Sequence, residues 1–213
     1  MTLQKRQVLE KILARIKETE TDSFNYIIPG TLGKKVRTYM SMREDILFCK
    51  KAVKELMLLK MGTTPTKQTI ETALWTSIIV TYGKCFTDAT QASKSKLEPK
   101  DCFSINDDEI KEMHEQIMTL RHTFIAHRGD TENEQAVVYM KIPKNGEAEN
   151  RTEYKVKSLR ATGHNLEKLK KYFKLFNHVQ KIIEQKFFRQ AEKTHDTILN
   201  NMTAEQINKL LIL

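Results

Sequence analysis

Apolar residues recur at steps of three and four along most of this chain, and that spacing constrains the fold more than any other feature. Met42, Ile46, Cys49, Val53 and Leu56 form one such stripe, which a helix gathers on a single face. The stripe predicts a helix from about 38 to 61 that stops near Gly62, with Pro65 opening the next. From Thr66 to Phe86 the residues Ile70, Ala73, Leu74, Trp75, Ile78, Ile79, Tyr82 and Phe86 cover more than one face. That is the pattern of a helix packed centrally among others, with Tyr82 and Phe86 in the core. Ile110, Met113, Ile117, Leu120 and Phe124 make a third stripe, with Asn106 or Asp107 as its N-terminal cap and Gly129 as its left-handed stop. A long helix is expected from Asn165 to about residue 197, carrying Leu166, Leu169, Phe173, Phe176, Ile183 and Phe187, and "TAEQINKLLIL" adds a short final one.

The exceptions to this period are local. The stretch "DATQASKSKLEPKDCFSIN", residues 88 to 106, is polar and carries Pro99, so it reads as a long surface loop. Val138, Met140 and Ile142 alternate with other side chains, "PKNGEAENR" turns the chain, and Tyr154 and Val156 resume the alternation. This is a two-stranded hairpin, which is marginal alone and is expected to lean on the helices. The fold class is therefore all-α: a helical bundle with a long C-terminal helix and a small β-hairpin appendage. With 213 residues the chain can bury one sizeable core, and it is read as a single helical domain over 1–213 with the hairpin inserted at about 136–159.

Charge and cysteine usage narrow the setting. Thirty-six Lys and Arg against 27 Asp and Glu leave a net charge of +9, which attracts polyanions without choosing among nucleic acid, lipid headgroups and acidic protein. Most lysines, as in "EKLKKYFK", are read as solvating helix faces. Cys49, Cys85 and Cys102 are odd in number and widely spaced, against both a disulfide framework and a zinc site. The N-terminal "MTLQKRQVLEKILARIKE" alternates charges with Val8, Ile12 and Ile16 and reads as an amphipathic helix rather than a signal peptide. "ALWTSIIVTYGKCF" is too short for a bilayer, which takes about 20 residues, and it contains a lysine. A soluble, cytoplasmic protein with no membrane partner is expected.

Several chemistries lack their residues. "HEQIM" at 114 has no second His one turn later, as a zinc-binding helix needs. "GTLGKK" at 30 has the wrong gap for a phosphate loop and no strand before it, and reads as an ordinary turn. Neither a nucleophile elbow nor a dinucleotide fingerprint occurs. The reading calls for no metal and no cofactor.

One cluster remains. "LRHTFIAHRGD", residues 120 to 130, ends an otherwise apolar helix face with Arg121, His122, His127 and Arg128. Cleaving RNA without a metal takes a base for the 2′-hydroxyl, an acid for the leaving oxygen and a cation for the phosphorane, and His and Arg supply all three near neutral pH. On a straight helix, positions 121 and 127 lie about 120° apart around the axis and about 9 Å apart along it. One such helix end does not converge them, whereas two copies related by a two-fold axis can line a shared cleft. The simpler structural account is that Arg121 and His127 cap the helix C-terminus, for about 0.3 to 1 kcal/mol. His114, one heptad earlier, is read as a surface or satisfied core histidine rather than a member of the cluster.

The same residues carry a resemblance. An Arg followed by His, Asn or Asp, then four to six residues, then His, at the end of a helix in an all-helical domain, resembles the HEPN superfamily motif, matched here by "RHTFIAH". The order of "ALWTSIIVTYGKCF", a polar loop and "LRHTFIAH" is also similar to the abortive-infection branch of that superfamily, so that the resemblance covers roughly residues 40 to 190. It implies a homodimeric, metal-independent endoribonuclease of a bacterial defence or toxin–antitoxin system. Arg121 and His127 would be its catalytic pair and His122 the polar residue between them. RNA is then a partner, together with an antitoxin or defence protein. Some relatives carry a Tyr two residues after the His, a target of modification; Gly129 stands there in this chain. Arg128, Lys155 and Lys157 are candidates to position an RNA backbone. The alternative is a non-catalytic helical module that binds nucleic acid or a partner protein.

Overall fold

The computed structural model describes residues 3–28, 30–59, 65–87, 96–104, 106–122, 134–141, 153–160 and 165–212. The fold is all-α with a long C-terminal helix and one small antiparallel hairpin. The helices are α1 (Leu3–Thr19), α2 (Gly30–Leu58), α3 (Pro65–Lys84), α4 (Pro99–Cys102), α5 (Asp108–Leu120), α6 (Leu166–Asn201) and α7 (Ala204–Asn208), and the strands are β1 (Glu134–Lys141) and β2 (Glu153–Arg160). The chain divides into two compact units, Met1–Ser41 with Glu184–Leu213, and Met42–Ile183.

The larger unit holds a bundle built from the parts of α2 and α6 that fall within it, with α3 and α5. Met42, Ile46, Cys49, Val53 and Leu56 of α2 are all buried, as their spacing requires. Trp75, Ile78, Ile79 and Tyr82 of α3, with Cys85 and Phe86 just past its end, are buried as well, but within a single arc of about 120°; Ile70, expected on a second face, is 42% exposed. Leu169, Tyr172, Leu175, Phe176, Val179 and Ile183 complete the core from α6. Trp75 packs on Tyr172 and Tyr82 on Phe176, with ring centroids 4.9 and 5.4 Å apart. Each aliphatic side chain so enclosed favours the folded state by about 1.5–3 kcal/mol. Leu166, expected in the α6 stripe, is 52% exposed: it opens the helix, where Asn165 Oδ1 accepts from the Lys168 amide at 2.8 Å, one turn before the buried run begins.

Other boundaries also differ from the sequence reading. α2 starts at Gly30, not near 38, so "GTLGKK" is the first turn of a helix rather than an isolated turn; residues 30 to 37 carry too few apolar side chains to show a period. Of the stretch read as a polar surface loop, residues 88–95 and 105 lie outside the described residues, and the segment 96–104 is anchored. Leu97 and Cys102 are buried, the Leu97 amide donates to the Cys85 carbonyl at 2.8 Å, and α4 lies between the two anchors with Pro99 in its first turn. Asp107 precedes α5 but does not cap it forward. Its Oδ2 accepts from the amide and hydroxyl of Ser104, at 2.9 and 2.8 Å, and these bonds hold its carboxyl below the ordinary range.

The hairpin pairs Glu134 with Arg160 through Lys141 with Glu153, so that Val138 faces Val156 and Met140 faces Tyr154. Ile142 lies outside the described residues. Where side chains are described the ribbon buries neither face: Val137 and Tyr139, which share one face, are exposed, as are Met140 and Tyr154 on the other. The expectation that it leans on the helices is therefore not met for these side chains. Alternation fixes register, and with apolar residues on both faces it selects no single side to cover.

In the smaller unit Tyr26 and Leu211 form an antiparallel bridge, and Thr203 and Gln206 make a reciprocal capping box at the start of α7. Leu13, Ala14, Ile27, Leu211 and Ile212 line an open cavity of about 360 Å³ there. Among the described residues no helix is long and apolar enough to cross a membrane.

Candidate functional site

α5 is amphipathic, with Met113, His114 and Ile117 buried, and it delivers Arg121 and His122 at its C-terminal end. There the helix widens into a π turn at these two residues, a local irregularity that often accompanies functional positions. The Arg121 amide bonds to the carbonyls of both Ile117 and Met118. Arg121 is half-buried and His122 is exposed.

The seat of Arg121 is Gly83 on α3. A methyl group on Gly83 would overlap Cδ of Arg121 and come within 2.5 Å of its Nε. Only a residue without Cβ lets the arginine stem lie that close to the α3 backbone. Gly83 thus fixes where the stem leaves the helix, and a stem held by packing loses less freedom when its guanidinium engages an anion. Sequence reasoning missed this partner. The available signal was a glycine between bulky residues in "TYGKCF", since a glycine inside a helical pattern often marks a close approach.

Beside that seat lies a buried aromatic nest. Tyr82 Oη and His114 Nδ1 are 2.8 Å apart in a hydrogen bond, and the His114 ring packs against Phe86 and Phe103 with centroids 4.5 and 4.7 Å away. His114 is 5% exposed, and burial pushes its imidazole down to about 4. It is a satisfied core histidine, neutral at pH 7. Phe103 also stacks on His178, whose Nε2–H donates to the Cys102 carbonyl at 2.6 Å. The nest ties α3, α5, the α4 segment and α6 together through Tyr82, His114, Phe103 and His178.

The remaining candidates divide. His127 and Arg128 lie outside the described residues. Lys155 is exposed on β2 opposite Tyr139, and Lys157 pairs with Val137 in the same ladder. Arg121 and His122, consecutive in the chain, are thus the two catalytic candidates that lie among the described residues. Among the described residues no three His, Cys, Asp or Glu side chains are grouped to hold a metal ion. Comparison of the chain with protein-family models, with curated proteins and with solved structures finds no match.

Proposed function

We propose that this chain is a HEPN-type, metal-independent endoribonuclease of a bacterial defence or toxin–antitoxin system. It works in the cytoplasm as a homodimer, with Arg121, His122 and His127 of both copies around one cleft. The 2′-oxygen of RNA attacks the adjacent phosphorus and gives up its proton to a histidine. The bond to the 5′-oxygen breaks, that oxygen takes a proton, and a cyclic phosphate remains. His127 serves as base or acid, Arg121 stabilises the phosphorane charge, and His122 orients or shares the proton transfer.

The observation that carries this reading is the seating of Arg121 across Gly83 in the π turn, with exposed His122 beside it. A cation held in place before the charge develops is what electrostatic stabilisation of a phosphorane asks for. The same packing also favours a second reading, a non-catalytic module that binds nucleic acid or a partner protein, in which Arg121 only staples α5 to α3.

Cleavage of a mixed RNA substrate decides between them. His127→Ala and Arg121→Ala should each lower the rate by about 10² to 10⁴, and EDTA should leave it unchanged. Undiminished cleavage in both variants would remove the enzyme reading.

A further inference from the structure

Within the larger unit, α2 and α6 meet along a seam in which cations are concentrated. Lys50 and Lys54, one turn apart on α2, both lie over the Phe173 ring of α6, with their Nζ atoms 5.6 and 5.4 Å from its centroid. Lys50 also donates to Gln180 Oε1 at 2.7 Å. On the α6 bank Lys170, Lys174 and Lys181 are exposed and fall within about 40° of one another around the helix axis, on the side of Phe173 away from the buried run. No Asp or Glu occurs between 50 and 54 or between 168 and 183; Glu55, Glu167 and Glu184 flank the two banks, and the central Lys174 has no carboxylate at pair spacing on its own helix.

Gathering like charges this way opposes folding. A cation over a half-buried ring recovers about 0.5–1 kcal/mol at an exposed site, which accounts for two of the five lysines and not for the α6 row. From Lys170 to Lys181 that row runs about 16 Å along the helix, a track rather than a point, suited to a chain of phosphates. A membrane-binding face would set exposed apolar side chains beside its cations. Between Lys170 and Lys181 the line holds half-buried Phe173, under lysine, and the amides Asn177 and Gln180; the exposed Leu166 and Leu58 stand only at the ends of the two banks.

We infer that the α2–α6 seam binds the phosphodiester backbone of RNA, as an extended anchoring track separate from the Arg121 cluster and from the hairpin lysines. The choice of RNA as the polyanion rests on the ribonuclease reading, whereas the track itself rests on the lysines.

The test is binding of a fluorescent 2′-O-methyl oligouridylate of roughly 20 nucleotides, which lacks the nucleophile for cleavage and so reports binding alone, followed by anisotropy across a salt series. The triple variant Lys54→Gln, Lys174→Gln, Lys181→Gln should weaken binding by about tenfold or more at low salt. It should also flatten the slope of log affinity against log salt by about 2, at roughly 0.7 per lost contact. A triple with the same charge change elsewhere, Lys11→Gln, Lys100→Gln, Lys193→Gln, should stay within about threefold of the parent. All six side chains are exposed, so circular dichroism should show both variants folded. Equal weakening in the two triples, no change in the seam triple, or no binding by the parent overturns the track. Preference of the seam for phosphatidylcholine–phosphatidylserine vesicles over the oligonucleotide overturns it in favour of a membrane. If the seam binds the strand but the parent cleaves no ordinary RNA, the nuclease reading falls and the track stands. If cleavage depends on His127 while binding ignores the seam, the reverse holds.

Discussion

Tyr82 and His114 share a 2.8 Å hydrogen bond in the core of the larger unit, and the surrounding apolar rings keep the histidine uncharged. Its folded-state value of about 4 lies below the ordinary 6.5. Between those two values the unfolded chain takes up a proton that the folded chain refuses, so stability rises with pH across the window. The contribution is complete above pH 6.5 and is lost as the pH falls towards 4, an effect on the order of 1–3 kcal/mol. Urea midpoints at pH 7, 5 and 4 should show this slope, and the double variant Tyr82→Phe, His114→Leu should lack most of it. His114→Leu alone, which strands a buried hydroxyl, should cost about 1–3 kcal/mol at pH 7. An unchanged slope in the double variant would place the acid sensitivity elsewhere.

Gly83→Ala separates stability from function. Alanine in place of glycine near the end of α3 favours folding by about 0.4–1 kcal/mol by restricting the unfolded chain, while its methyl group must push the Arg121 stem off the α3 backbone. The two effects oppose each other, so the melting temperature should move by only a few degrees. RNA cleavage should nevertheless fall by on the order of tenfold to a hundredfold, because a displacement of about an ångström is enough to spoil a preorganised cation. A variant with full activity would show that the position of Arg121 does not matter to the reaction.

The helices were legible because burial is periodic. The α2 stripe from Met42 to Leu56 and the residues Trp75, Ile78, Ile79, Tyr82 and Phe86, on α3 and just past it, could be assigned to the interior from spacing alone. The period of two likewise marked the two strands, although their register, Val138 opposite Val156, came only with the structure. Where no period exists, little could be read. Leu97 and Cys102 are isolated apolar residues in a polar stretch, and only the tertiary fold shows that each has a pocket to fill. The candidate site divides in the same way. Arg121 and His122 stood out by residue type, but the glycine that seats Arg121 lies 38 positions earlier in the chain. A contact between two helices leaves no trace in the spacing of either one.

The three thiols should be silent in the native protein. Cys49, Cys85 and Cys102 are free and buried. Burial pushes the Cys49 thiol up strongly and the Cys85 thiol up to about 12, so the reactive thiolate is scarce at pH 8. Titration with a thiol-specific chromogenic reagent should find little reaction in buffer and all three groups in denaturant. Adding a reductant should leave the melting temperature where it was. Rapid native labelling of Cys85 would contradict its burial beside Cys49 and Asp45 of α2.

On the dimeric reading, the two copies need each other chemically and not only structurally. If Arg121 and His127 of each copy serve one shared cleft, a protomer alone lacks the convergent base, acid and cation that cleavage requires. The rate per protomer should therefore be constant at high concentration and fall in proportion to concentration below the dimer dissociation constant, with sedimentation showing the same midpoint. A mixed dimer is the sharper measurement. Arg121→Ala and His127→Ala copies, each impaired by about 10² to 10⁴ as homodimers, should on mixing form some hybrids that keep one arginine and one histidine in the cleft. The mixture should then exceed the mean of its two parents. If the rate per protomer ignores dilution and the mixture only averages its components, each copy acts by itself and the shared cleft is lost.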